Sequence, residues 1–261
     1  MDIAKLTETY TAYYALGHEV RDHSHCRAIR RDAAPQIYDA NHLQRVRAES
    51  PTEIEETFAF LELDLGDRRH RQVVVDPGTP EPFVAQLALA GFEPEPTLQL
   101  LLEGPLPGRP PDPLDIRQAE TDADWSSLLE LMRLDHEETC ARRGRPVYEM
   151  AVTEQMTLCM RGRSPASRHW LVREENRDVA FFASWPGENE TGIVEDLFTR
   201  EDCRGRGIAR ALIHHAVADA RTRGAGPVLI GSDPTDWPKD FYARLGFRPA
   251  CVTWAWLRTP D

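Results

Sequence analysis

The sequence predicts a mixed α/β protein built from two domains, and three observations carry this prediction. Patterns typical of short buried strands alternate with amphipathic helical patterns along most of the chain. A proline-rich segment interrupts these patterns near the middle, and a length of 261 residues is enough for two modest domains. Similar turn signals then recur in the same order in both halves of the chain.

The boundary is the segment GPLPGRPPDP, residues 104–113, which contains five prolines and two glycines. This composition excludes regular secondary structure and favours a semi-rigid extended linker. We therefore predict one domain over residues 1–103 and a second domain over residues 114–261.

In the first domain, Ser50-Pro51 with Glu53 is a typical helix start, and Val73-Val74-Val75 indicates a buried strand. The predicted elements are helices at Asp2–Leu16, Pro51–Leu65 and Pro82–Ala90, and strands at Arg71–Asp76 and Thr97–Leu102.

In the second domain, Thr121 with Asp124 is a capping pair that begins a helix through Met132. Apolar residues at helical spacing predict another helix from Ile208 to Gly224. The remaining predictions are a helix at Val147–Met160, a hairpin at His169–Arg173 and Val179–Ser184, strands at Leu114–Gln118, Thr191–Thr199, Val228–Gly231 and Cys251–Leu257, and a helix at Asp236–Leu245.

An internal repeat links the two halves. In the first half, a predicted helix follows Asp76-Pro77, and the turn Gly91-Phe92-Glu93-Pro94 then leads into a strand. Asp233-Pro234, a helix and Gly246-Phe247-Arg248-Pro249 do the same in the second half. We predict related folds for the halves; chance recurrence of common turn residues is the alternative.

Composition excludes several classes of function. The net charge of −12 opposes binding to nucleic acid or to an anionic membrane surface, and neither half is basic. No apolar run approaches the roughly 18–20 residues of a membrane span. Four acidic residues before residue 23 argue against a secretory signal, and five scattered cysteines argue against a disulfide framework. We therefore predict a reducing cytoplasmic location.

The most informative segment is residues 192–213, GIVEDLFTREDCRGRGIARALI, in which a strand leads into a glycine-containing turn and a helix. Gly205 and Gly207 leave the backbone unobstructed where amide groups converge at the helix start. Such a turn binds phosphate groups, and Arg204 and Arg206 can add charge-assisted hydrogen bonds. The alternative is an Arg-Gly loop without function.

This segment resembles the GNAT superfamily of acyl-CoA-dependent N-acyltransferases. Arg204-Gly-Arg-Gly-Ile-Ala209 is similar to the family's pyrophosphate loop, and Glu195-Asp-Leu-Phe-Thr199 is similar to the strand beside the pantetheine arm. Phe241-Tyr-Ala-Arg-Leu-Gly-Phe247 is similar to a third family element. The resemblance covers residues 114–258. The first half lacks the loop and has Leu87 where the tyrosine would fall, so it resembles a degenerate GNAT-like domain of a tandem member.

The resemblance implies transfer of an acetyl group from acetyl-CoA to a primary amine of a small molecule or peptide, by direct attack in a ternary complex. Acetyl-CoA is a co-substrate, and no metal is implied. The implied cofactor-binding residues are Leu197, Phe198, Thr199, Arg204, Gly205, Arg206, Gly207, Ile208, Ala209 and Asp233.

Three catalytic roles follow from the resemblance and from chemistry. A carboxylate must take the proton of the amine, and Glu195 is favoured, with Asp196 as its substitute. Strand alternation places Glu195 with Ile193 and Leu197 on one face, and Asp196 with Val194 and Phe198 on the other. The backbone N–H of Phe198 or Thr199 would bind the oxyanion. Tyr242 would protonate the departing thiolate. Structural roles for both carboxylates and for the tyrosine are the alternative.

Two departures from the family pattern stand out. Thr235 replaces an asparagine that holds pantetheine, so Asp233 or Thr235 is expected to substitute. The chain also lacks the usual last strand, so we expect the exposed sheet edge to be covered by the first domain or a strand to be exchanged between domains.

Weaker signals complete the analysis. His18, His23, His25 and Cys26 form a possible zinc ligand set, but surface or capping roles are favoured because their spacing is irregular. The rival functions are a non-catalytic acyl-CoA sensor and a dimerisation module. The protein is expected to act as a monomer with pseudo-twofold halves or as a homodimer.

Overall fold

A computed structural model describes residues 2–108 and 112–259, and its contacts divide the chain into two compact units. The first unit combines the residues up to Leu101 with those from Gly231 onward, and the second unit runs from Leu102 to Ile230. Residues 109–111 of the predicted linker lie outside the described residues. These units therefore group the C-terminal segment with the N-terminal half, whereas the predicted domain boundaries place it in the second domain.

The elements follow in chain order. The first are α1 (Ile3–Ala15), β1 (Glu19–Asp22), β2 (Arg27–Arg30), β3 (His42–Gln44), α2 (Pro51–Leu65), β4 (Arg71–Val75), α3 (Glu81–Leu89) and β5 (Glu93–Leu102). Next come β6 (Asp115–Gln118), α4 (Asp122–Arg142), α5 (Met150–Gly162), β7 (Arg168–Glu174), β8 (Arg177–Trp185), β9 (Gly192–Thr199), α6 (Ile208–Thr222) and β10 (Val228–Ser232). The last are α7 (Pro238–Arg244) and β11 (Arg248–Arg258).

Local chemistry explains where two of the longer helices begin. Ser50 accepts a hydrogen bond from the Glu53 amide, and the Glu53 carboxylate accepts one from the Ser50 amide, which forms the capping box of α2. Thr121 and Asp124 do the same at the start of α4. Both capping pairs are therefore confirmed.

The first unit contains a mixed sheet with strand order β1-β2-β3-β4-β11-β5. One face of this sheet supplies Leu43, Val73 and Val75 to a hydrophobic core that also contains Leu61 of α2 and Phe83 of α3. This core accounts for the apolar pattern of both helices.

The C-terminal strand completes this first sheet. In the antiparallel ladders of β11, Trp256 pairs with Val73 of β4 on one side and with Pro94 of β5 on the other. The last strand of the chain therefore lies in the sheet of the first unit, between β4 and β5.

The second unit contains a sheet with strand order β10-β9-β8-β7-β6. Helix α4 covers one face, where Leu128 and Met132 pack with Leu171, Phe181 and Phe198. Helix α6 covers the opposite face. There the His215 ring lies 4.3 Å from Trp170, and Asp219 accepts a 2.7 Å hydrogen bond from Ser184.

Both units contain the same supersecondary motif. Parallel strands β3 and β4 are joined by α2, and parallel strands β9 and β10 are joined by α6. A further helix and strand follow each motif, α3 and β5 in one case and α7 and β11 in the other. The structural halves therefore repeat as the turn signals predict.

The described part of the chain contains no helix that is long and apolar enough to cross a membrane. All five cysteines fall within it, and they are free thiols.

Candidate active site

Strand β9 carries a β-bulge at the predicted catalytic carboxylates. Phe198 pairs with Phe181 and Glu195 pairs with Ala183, so two residues of β9 lie opposite the single residue Phe182 of β8. Asp196, one of these two, has a φ of +63°. Aspartate tolerates this left-handed conformation better than most residues, and bulges of this kind redirect side chains near functional sites.

The bulge corrects the predicted alternation. Residues paired directly across an antiparallel ladder share a face, and Phe181 and Ala183 are two apart on β8. Glu195 therefore lies on the same face of the sheet as Phe198, which is the face covered by α4. Leu197, which regular alternation would place on that face, does not share it. The prediction that Phe198 lies on the face opposite Glu195 is wrong, because the extra residue shifts the register between them.

The edge of β9 that faces β10 is open over its second half. Pairing between these two strands ends at Leu229 and Ile193, while β9 continues to Thr199. The Arg200 amide donates a 2.9 Å hydrogen bond to the carbonyl oxygen of Val179 in the neighbouring strand β8. Since amides of an antiparallel strand alternate in direction, the Phe198 amide points towards β8 and the Thr199 amide towards the open edge.

Thr199 has a second unusual feature. Its side chain is buried, yet no described residue forms a hydrogen bond with its hydroxyl oxygen. Such a group needs a water molecule or a ligand as a partner. The residue therefore marks the end of β9 as a place where a polar group can bind.

The glycine loop has the geometry that an anion requires. Gly205 and Gly207 have φ values of +76° and +83°, and Gly207 is the N-cap of α6. A Cβ atom built on either glycine would meet no atom within 4 Å, so the space above the backbone is open. The first amides of α6 have no intrahelical acceptors and carry the positive end of the helix dipole.

Both arginines of the loop form ion pairs with carboxylates. Arg204 binds Glu138 of α4, donates a 2.8 Å hydrogen bond to the Thr199 carbonyl, and lies over the Phe198 ring. Arg206 lies 2.9 Å from a Glu174 carboxylate oxygen. A phosphate group at this loop would therefore compete with Glu138 and Glu174 for the two guanidinium groups.

Asp135 of α4 is a candidate that the sequence analysis missed. Burial, together with the negative charges of Asp196 and Glu138, raises the pKa of this half-buried carboxyl group to about 6. Glu195 and Asp196 are also half-buried. Only the packing of α4 over the bulge brings Asp135 close to Asp196, and no sequence motif indicates this proximity.

Tyr242 and Asp233 belong to the first unit. Tyr242 is buried on α7, with its ring 6.1 Å from that of Phe247. Asp233 accepts hydrogen bonds of 2.8 and 2.7 Å from the amide and hydroxyl of Thr235. The two proposed substitutes for the missing asparagine are thus bonded to each other, and their roles stay predictions.

The histidines near the N-terminus have other contacts. His23 lies 2.6 Å from Asp64, His25 lies 3.5 Å from Glu56, and Cys26 is part of the hydrophobic core. Across residues 2–108 and 112–259, no group of three or more histidine, cysteine or acidic side chains is arranged to hold a metal ion.

Fold and site together define a class of α/β protein in which a strand with an open edge leads into a phosphate-binding loop at a helix start. Residues 165–249 match the model of the acetyltransferase (GNAT) domain. This segment is therefore similar to GNAT acetyltransferase domains.

One curated relative is a streptothricin acetyltransferase of Streptomyces lavendulae, which is 34% identical over 89 residues. The match covers 33% of this chain and 47% of the relative, so the matched segment spans about half the relative's length.

Solved structures extend the similarity to the whole fold. A GCN5-related N-acetyltransferase from Kribbella flavida superposes with a TM-score of 0.69 at 16% identity, covering 99% of this chain and 96% of that one. A tandem GNAT protein from the clavulanic acid biosynthesis pathway gives a TM-score of 0.58 at 16% identity, covering 90% and 79%. The fold is therefore that of GNAT proteins, including a tandem member.

Proposed function

We propose that this protein is an N-acetyltransferase that transfers the acetyl group of acetyl-CoA to a primary amine by direct attack in a ternary complex. One observation carries the proposal: two glycines with positive φ open the backbone at the start of α6, directly after a strand whose edge is open. Exposed amides at a helix N-terminus are a ready binding site for phosphate groups.

The residues present fit CoA. The open space at Gly205 and Gly207 accommodates a diphosphate, and the amides of Ile208 and Ala209 supply donors at the positive end of the helix dipole. The open edge of β9 supplies backbone groups for the amides of the pantetheine arm. When bound, acetyl-CoA would supply the activated acetyl group as a thioester.

Glu195 is proposed to remove the proton from the ammonium group of the acceptor. The freed nitrogen lone pair then forms a bond to the acetyl carbon, and the carbon–sulfur bond breaks. The nitrogen loses its second proton in this step, which replaces the proton that the departing thiolate receives. A carboxylate in this role needs to lie within hydrogen-bond distance of the amine or to act through one water molecule. Asp196, adjacent on the bulge, is the substitute.

Two further groups complete the proposed mechanism. The Thr199 amide on the open edge of β9 is proposed to stabilise the oxyanion, because fixed donors aimed at developing charge lower the barrier. Tyr242 is proposed to protonate the departing thiolate. This last role rests on the resemblance of residues 241–247 to the family element.

The acceptor is proposed to be a small cationic amine. Asp135 on α4 and Glu195 and Asp196 on β9 place negative charge at this part of the site, which favours a cation. One curated relative is named as an acetyltransferase of streptothricin. The location is proposed to be a reducing cytoplasm, in keeping with the five free thiols.

A turnover assay tests this function. Purified protein is mixed with acetyl-CoA and a panel of primary amines, and released CoA is detected by reaction of its thiol with DTNB. We expect thiol release that depends on at least one amine. Binding of CoA without release on any amine would instead support the non-catalytic sensor.

Variants in the same assay identify the base. Glu195→Gln is expected to lower kcat by about 100-fold, within the range of a lost general base, while CoA affinity stays within twofold. Asp196→Asn is the matched control. If the control loses activity and Glu195→Gln keeps it, Asp196 is the base.

A further inference from the structure

His169 of β7 is a buried polar side chain whose hydrogen-bonding groups are unsatisfied. It is 0% exposed, and within the described parts of the chain neither ring nitrogen has a hydrogen-bond partner. Burial lowers its pKa to about 3, so the ring is neutral and has one donor and one acceptor. A buried group of this kind calls for an explanation beyond packing.

The sheet register places His169 in line with the proposed base. His169 pairs with Ala183, and Ala183 pairs with Glu195, so all three side chains lie on the face covered by α4. Neighbouring strands are about 4.8 Å apart, which puts the outer two Cα atoms roughly 10 Å apart. The side chain of Ala183 is only a methyl group. It therefore does not fill the space between the His169 imidazole and the Glu195 carboxylate.

The surroundings restrict the ring. Trp125 of α4 packs edge to face on it, with ring centroids 5.3 Å apart. The positive charge of Arg163 also lowers the pKa of the ring and so disfavours its protonation. Around the base, Asp196 lies on β9 and Asp135 on α4.

We propose that His169 is a positioning residue for Glu195: the imidazole donates a hydrogen bond to one buried water molecule, which in turn donates a hydrogen bond to the carboxylate across Ala183. This interaction holds the carboxylate in one orientation and favours its ionised form. The neutral ring carries no proton in the reaction. The proposal rests on the proposed function only in naming Glu195 as the base.

Two variants of His169 test the proposal. Phe fills similar space without polar atoms, and Gln keeps a donor and an acceptor. His215→Phe is the matched control, because His215 packs edge to face on Trp170 on the other side of the same sheet. The primary measurement is the pKa of the Glu195 carboxyl group, followed by ¹³C NMR in protein without ligands.

We expect His169→Phe to raise the pKa of Glu195 by at least about 0.5 unit, because the carboxylate loses a donated hydrogen bond. It should also lower kcat at least about tenfold without changing the KM for acetyl-CoA. His169→Gln should restore most of both values, and His215→Phe should alter neither.

An unchanged Glu195 pKa in His169→Phe would overturn the proposal, and so would equal impairment of the Phe and Gln variants, which indicates a packing role. If His169→Phe does not fold, His169→Leu takes its place as the apolar variant: a Glu195 pKa raised by at least about 0.5 unit supports the proposal, and an unchanged value overturns it. Because the NMR measurement needs no substrate, absence of turnover on every amine would count against the proposed function and leave this test intact.

Discussion

Asp135 shows how one residue of α4 is adjusted by its neighbours. Its carboxyl group has an ordinary pKa of 3.8, which burial and the charges of Asp196 and Glu138 raise to about 6 in the folded protein. The folded state therefore holds a proton that the unfolded state has lost between these pH values. The contribution of Asp135 to the free energy of unfolding is therefore largest below pH 4. It is lost as the pH rises from about 4 through 6.

Replacement of Asp135 by Asn removes this dependence. At pH 8 the variant should be more stable than the wild type by on the order of 2 to 3 kcal/mol, since each pKa unit corresponds to about 1.4 kcal/mol. At pH 4 the two proteins should unfold alike. Thermal unfolding at both pH values measures the difference, with the exposed Asp115→Asn as control. A stabilisation that is equal at both pH values would contradict the electrostatic cause.

The role of Gly207 at the start of α6 can be tested by comparison with Gly224, which follows the C-terminal end of the same helix. Gly207 and Gly224 both have positive φ, and a Cβ atom on either would meet no atom within 4 Å. Substitution by Val should therefore cost each variant a similar amount of stability, about 1 to 2 kcal/mol. Only Gly207→Val should lose CoA affinity, by at least about 100-fold, because its side chain occupies the space needed by the diphosphate.

Titration of CoA into both variants, with thermal unfolding to compare stability, measures these effects. Wild-type affinity in Gly207→Val, or equal losses in both variants, would show that the backbone of the loop does not hold the ligand.

The equivalent helix of the first unit has a different N-terminus. At the start of α2, the Glu53 carboxylate accepts 2.9 Å hydrogen bonds from the amides of Glu49 and Ser50. These amides lower the pKa of Glu53, so it remains an anion. The chain thus supplies its own anion at α2, whereas α6 presents glycines without a side-chain cap. This difference predicts that the start of α2 does not bind a phosphate group.

At the scale of elements, the sequence predicts what local chemistry controls. Capping pairs locate the starts of α2 and α4, and apolar spacing locates α6. Strands β1, β2 and β3 were not predicted, because they are three or four residues long and rich in Arg, Asp, His and Gln. Their stability comes from pairing with each other and with β4, which is a tertiary effect.

The candidate site was predictable in part for the same reason. The loop of Gly205 and Gly207 has a sequence pattern that reflects its backbone conformation. The bulge at Asp196 has none, so the alternation rule failed beyond it. Asp135 and His169 depend on which elements pack together, and a single sequence does not contain that information.

For the whole molecule, the repeat of one motif in both units leads to a statement about stoichiometry. The first unit has an α2 start closed by the capping box of Ser50 and Glu53, and the second has an α6 start without a side-chain cap. The chain as a whole should therefore bind one CoA, although it contains two related halves.

Isothermal titration of the intact chain with CoA tests the central claim most directly. The backbone amides at residues 205–209 are expected to bind the diphosphate, so the titration should release or absorb heat and saturate at one CoA per chain. Absence of binding heat, or saturation at two CoA molecules per chain, would contradict the account.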